Sequence, residues 1–164
     1  MIEKIKANID KITLVLSIVA GALLVPSIIE RIGSNMSEYY IILLIEYGLL
    51  LVSNLMFVIM NKNKDKALLP ALILFFSALS LINVYNVIEG SFYNVATSVL
   101  YVGIVVVYLV SLNNNKVKNA LYLLMLIALA FFLASALGGG AISLSILLTG
   151  LVLFGNIYLD KGEN

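Results

Sequence analysis

Glu46 is the one ionisable residue well inside a long apolar run of this 164-residue chain, seven residues into the stretch 39–60. If that stretch is an α-helix, the carboxyl lies about 10 Å below its end. A charge near the middle of a membrane costs roughly 2.5–3.5 kcal/mol on insertion scales, so such side chains face a bundle interior, a partner or a water-filled cavity. Tyr39, Glu46 and Ser53 recur every seven residues and share one helix face, with Asn54 at its margin. A carboxyl flanked by a phenol, a hydroxyl and an amide suits a small polar or cationic solute. The same carboxyl can instead hydrogen-bond a neighbouring helix and act as an anchor.

More polar groups follow in the next apolar run: Asn83, Tyr85, Asn86 and Glu89 near its end, then Asn94 and Tyr101 beyond it. Asn83 and Asn86 do not fall on one clean stripe with Ser77 and Ser80, so a continuous polar pore is not indicated. If the two runs meet, a ligand-binding cluster of Glu46, Tyr39, Ser53, Asn54, Asn83 and Asn86 is expected in one half of the membrane. The competing reading is an ordinary belt of Tyr and Asn at headgroup depth.

Ser145, Thr149 and Asn156 stand at spacings of four and seven and mark one side of the last run. Ala130, Ala134 and Gly138 recur every four residues in the run before it. Small residues spaced this way let helices approach closely in lipid. Both patterns are read as packing rather than ligand binding, with these last two helices forming a tight hairpin across Gly138, Gly139 and Gly140.

What is missing excludes much chemistry. There is no His, Cys or Trp, so the usual zinc and haem ligation, thiol redox chemistry and His-dependent nucleophilic catalysis are ruled out. Asp10, Asp65 and Asp160 are the only aspartates, and all lie outside the apolar runs; an intramembrane aspartyl dyad is unsupported. No Gly-rich phosphate loop ends in Lys-Ser or Lys-Thr. The chain is therefore expected not to be an enzyme and to carry no cofactor. A formal net charge of +1, with lysines in short runs, offers nothing to nucleic acid.

The elements that must hold these residues are set by composition. The chain is 62% hydrophobic and 12% charged, with a mean hydropathy of +1.09, far from the balance of a water-soluble domain. Six runs are long enough to cross about 30 Å of hydrocarbon as helices. They cover residues 12–29, 39–60, 67–88, 95–112, 120–137 and 141–159. Backbone groups cannot go unpaired in lipid, so these runs are expected to be helical. The fold class expected is all-α: a polytopic six-transmembrane-helix bundle with short loops, one membrane-embedded domain spanning residues 1–164.

Positive charge orients the bundle, because cationic loops are retained in the cytoplasm. Lys4, Lys6, Lys11, Lys62, Lys64, Lys66, Lys116, Lys118 and Lys161 fall on one side of a six-span chain, and Arg31 alone on the other. A multi-pass protein of the cell membrane with both termini cytoplasmic is expected. Ala20, Gly21 and Ala22 resemble a signal-peptide cleavage site after a lysine-rich start, but the apolar run continues to full spanning length. Asn35, Met36 and Ser37 form a glycosylation triplet that arises readily by chance. A shift of 52 residues aligns Asn63 to Lys66 with Asn115 to Lys118, and Leu72 and Ala78 with Leu124 and Ala130; leucine-rich composition and shared topology account for the match.

Two functions fit these features. One is a small-solute transport or solute-binding membrane component with an outward-facing polar cluster. The other is a structural or regulatory subunit that packs against a membrane protein partner or a second copy of itself. Topology is checked directly in this Cys-free chain. An impermeant thiol reagent applied to intact cells should label Ser91→Cys and spare Lys64→Cys; the opposite pattern would invert the orientation.

Overall fold

A computed structural model describes residues 1–33, 38–60, 64–88 and 93–159; within these, the side chains at 38–39, 64–65, 82, 84–88 and 93 are left undescribed. Among the described residues there are helices and turns but no strands. They comprise α1 (Ile2–Ala7), α2 (Ile9–Ile32), α3 (Glu38–Ile59), α4 (Lys64–Ile88), α5 (Tyr93–Ser111), a single 3-10 turn at Asn115–Val117, α6 (Lys118–Leu137) and α7 (Ala141–Tyr158). Several helices reach a few residues past the apolar runs because hydropathy marks only the apolar part of each. Asp10 and Lys11, for example, belong to the first turn of α2. The glycosylation triplet and Glu89 lie outside the described residues.

Five helical stretches are long and apolar enough to cross a membrane: Ile9–Ile32, Tyr40–Ile59, Asn94–Ser111, Asn115–Leu137 and Ala141–Tyr158. The expected third span corresponds to α4, 25 residues long, in which the described apolar stretch is the shorter Lys66–Leu81. Local chemistry ends the helices. Asn8 breaks the chain between α1 and α2, its side-chain amide donating to the Lys4 carbonyl at 2.9 Å. Between α6 and α7, Gly139 and Gly140 take φ values of 94° and 105°, left-handed backbone that favours glycine.

The long helices form a closed ring. Each packs on the next from α2 to α7, α7 returns to α2, and α4 touches α7 across the middle. The α4–α7 pair thus divides the interior into two halves. One half, with α5 and α6, is aromatic. Phe75 meets Phe132 edge-on at 5.7 Å, Phe76 stacks on Phe154 at 6.0 Å, and Tyr101 lies 5.3 Å from Phe76. Such pairs add about 0.5–1.5 kcal/mol each beyond burial. The other half, with α2 and α3, holds most of the buried polar side chains. Outside, large apolar side chains such as Ile29, Val99, Leu126 and Leu137 are exposed, as lipid surroundings require.

The close fit of α6 on α7 comes from a different small residue than expected. Ala130, Ala134 and Gly138 are exposed, and α6 instead buries Leu121, Met125, Ala128 and Phe132. The hairpin closes because Gly150 of α7 receives the Phe132 ring: a Cβ at Gly150 would stand 2.9 Å from its Cδ2. A face of large residues can bind a helix tightly when the partner supplies the hole. The 52-residue repeat has no counterpart in packing either, since Ala78 is buried and Ala130 exposed.

These contacts predict opposite outcomes for two glycines of one helix. Gly150→Ala should lower the unfolding temperature of the purified protein by several degrees, because Phe132 is held by the rings of Phe75, Tyr101 and Phe154 and can retreat little. Gly155→Ala should leave it unchanged, because nothing lies within 4 Å of its added methyl.

Candidate functional site

Polar side chains on α7 tie three helices together. Asn156 Nδ2 donates to Thr13 Oγ1 of α2 at 2.9 Å and to its own Val152 carbonyl at 2.7 Å. Ser145 Oγ donates to the Ala20 carbonyl of α2 at 2.8 Å. As α2 rises from Thr13 to Ala20, its partners on α7 run back from Asn156 to Ser145, so these helices are antiparallel. Between those levels, Asn54 Nδ2 of α3 donates to Thr149 Oγ1 at 3.1 Å, and Thr149 Oγ1 donates to the Ser145 carbonyl at 2.8 Å. Both amide hydrogens of Asn54 are used, the second on the Leu50 carbonyl at 2.9 Å.

The remaining expected site residues divide in two. Ser53 is fully buried and donates to the Ala71 carbonyl of α4 at 2.9 Å. Asn83 Nδ2 donates to Thr97 Oγ1 of α5 at 2.9 Å, and Thr97 donates onward to the Asn94 carbonyl at 3.3 Å. Ser53, Asn54 and Asn83 are therefore occupied by neighbouring helices. Tyr39 and Asn86 fall in α3 and α4, but their side chains lie outside the described residues.

Glu46 differs from them. It is only 6% exposed, and its Oε2 is buried without a hydrogen-bond partner. Leu43, Tyr47 and Leu50 on the same helix are buried around it. Because Ser53 lies opposite Ala71 in an antiparallel pair, Glu46 stands about level with Ala78, some 10 Å along the axis. Asn83 is a further turn and more away and turned toward α5. The expected six-residue cluster is thus not one constellation: Glu46, Ser53 and Asn54 share the interior of α3, whereas Asn83 belongs to the α4–α5 contact.

Two buried hydroxyls besides Glu46 lack partners, Ser17 Oγ and Ser98 Oγ. Thr13, Ser17 and Thr97 were not singled out by sequence reasoning. The signal for two of them was present, since Thr13, Ser17, Ala20 and Leu24 recur at helical spacing and form the buried stripe of α2. Among the described residues no three His, Cys, Asp or Glu side chains gather as a metal-binding group. Two surface grooves among the described residues, one between α4 and α5 and one between α6 and α7, are apolar, and neither includes Glu46.

No family model, curated protein or solved structure matches this chain. What its residues do must be read from their geometry.

The ladder along α7 makes a measurable claim. Thr149→Val preserves shape but removes the acceptor for Asn54, and Asn54→Leu removes the donor. A double-mutant cycle on unfolding free energy should return a coupling of about 0.6 kcal/mol, and no more than about 1.7 kcal/mol, the range for buried hydrogen bonds between membrane helices. Strictly additive effects would show that this pair does not hold α3 to α7.

Proposed function

We propose that the chain is a multi-pass protein of the cell membrane, with six crossings and both termini cytoplasmic, that binds a small cationic or hydrogen-bond-donating solute at Glu46. One observation carries this reading. In an interior where Ser53, Asn54, Asn83, Ser145, Thr149 and Asn156 all bond to protein, Glu46 keeps a buried carboxyl oxygen unused. An unpaired buried carboxyl is far more costly than the spare hydroxyls of Ser17 and Ser98, whose hydrogens rotate to suit their surroundings. A donor from outside the chain would relieve it. Under the lysine-based orientation, Glu46 lies in the outer half of the membrane, so the solute would arrive from the outer side.

The role is non-enzymatic: binding, and transport if the bundle opens on both sides. A second reading has its own support. Because the other polar side chains serve helix association, Glu46 can equally await a donor from a partner membrane protein, which would make the chain a structural or regulatory subunit.

Glu46→Gln separates the two, since the amide keeps the size and removes the charge. Sodium, potassium, methylammonium and guanidinium are each titrated against the purified protein while its unfolding temperature is followed. At ten times its dissociation constant a bound cation stabilises by about 1.4 kcal/mol, a shift of a few degrees for a chain of this size. At least one cation should raise the transition of the wild-type protein and leave Glu46→Gln unmoved. If no cation distinguishes them, and Glu46→Gln instead loses a co-purifying membrane protein, the solute reading fails and the subunit reading stands.

A further inference from the structure

The surface between α6 and α7 is concave. Its groove, about 370 Å³, is walled by Tyr122, Leu126 and Leu129 on α6 and by Leu151, Phe154 and Gly155 on α7. Gly155 makes the hollow: nothing lies within 4 Å of the position its Cβ would take. From Tyr122 to Leu129 the walls run for about 10 Å along the helix, a third of the roughly 30 Å hydrocarbon layer. In lipid, a trough of this shape is filled by an acyl chain.

The end of the groove is chemically distinct from its walls. Tyr122 and Tyr158 meet edge-on there, with ring centres 5.1 Å apart, and such amphipathic rings favour headgroup depth. Helical spacing puts Lys118 on the same face as Tyr122, Met125 and Leu129, one turn beyond the tyrosines. Lys118 is half-buried, as when a lysine stem lies along apolar surface and its ammonium reaches the headgroups. Lys116 precedes it in an exposed turn. No Asp or Glu occurs between Glu89 and Asp160, so α5, α6 and α7 carry no carboxylate to neutralise this pair. The groove between α4 and α5 lacks this arrangement: its first wall residue, Ile73, is two turns from Lys66, which follows Asp65.

We propose that the α6–α7 groove is a binding site for an anionic phospholipid, with one acyl chain lying over Gly155 and the phosphate held at Lys118. The chain fixes which lipid surface is used, and the lysines select the charge. Neither part depends on what Glu46 binds.

The test uses the full chain in lipid nanodiscs holding equal amounts of phosphatidylglycerol and phosphatidylcholine, with retained lipid counted by native mass spectrometry. The wild-type protein should keep one phosphatidylglycerol in preference to phosphatidylcholine by about fivefold, the factor one lysine gives near a charged surface. Lys118→Gln should abolish the preference. Gly155→Leu, which fills the trough, should remove the retained lipid altogether; unfolding temperature in phosphatidylcholine alone reports whether it folds, and Leu126→Trp blocks the trough from its exposed wall if it does not. Glycerol 3-phosphate, a headgroup without a chain, should fail to displace the lipid. The proposal is overturned if Lys118→Gln keeps the preference, if the blocked variants retain lipid as the wild type does, if glycerol 3-phosphate competes, or if the wild type shows no preference.

Discussion

Lipid removes the force that assembles soluble proteins. An apolar helix surface gains little by leaving acyl chains for another helix, so association must come from close packing and from hydrogen bonds that lipid cannot supply. Helix α7 concentrates both. It offers Ser145 and Asn156 to α2, Thr149 to α3, Phe154 to the ring cluster of α4 and Gly150 to Phe132 of α6. The last helix thereby returns to the first and closes a ring that sequence neighbours alone would leave open. Most other helix contacts are between chain neighbours, with Phe75 of α4 against Phe132 of α6 an exception.

Much of this was legible in the residues. Runs of apolar side chains bounded by Lys, Asn and Gly became helices within a few residues of the expected bounds, because helix is the form that satisfies the backbone in lipid. The face bearing Ser145, Thr149 and Asn156 was correctly read as a packing face. Its partners were not legible: spacing fixes which side of a helix a residue occupies, not which helix lies opposite. Chain proximity suggested α6, and the bonds run to α2 and α3. The stripe at Ala130, Ala134 and Gly138 misled for a related reason. Small residues permit close approach without requiring it, and here the hole that mattered was the single Gly150.

The candidate site was legible at one position. Glu46 stood out as a carboxyl in an apolar run, and it is buried in the bundle with an oxygen unused. Its supposed companions had hydrogen-bonding groups of the right kind, but the three whose side chains are described have nearer uses. Ser53 and Asn54 are committed to α4 and α7, and Asn83 to α5. An amide inside a membrane that can reach a neighbouring backbone or hydroxyl will do so, since leaving it bare costs more than the bond is worth in water. A polar residue in a span is therefore weak evidence for a ligand until its own helix neighbours have been accounted for.

The two halves of the interior are held together by different means. In the half formed with α5 and α6, rings from four helices interlock, and separating any two disturbs the rest. In the half formed with α2 and α3, discrete hydrogen bonds of about 0.6 kcal/mol each add to the burial of Leu24, Leu50 and Phe57. Glu46 lies on α3, in the half where hydrogen bonds join the apolar packing. One half is thus fixed by interlocked rings, and the other by apolar burial with hydrogen bonds running across it.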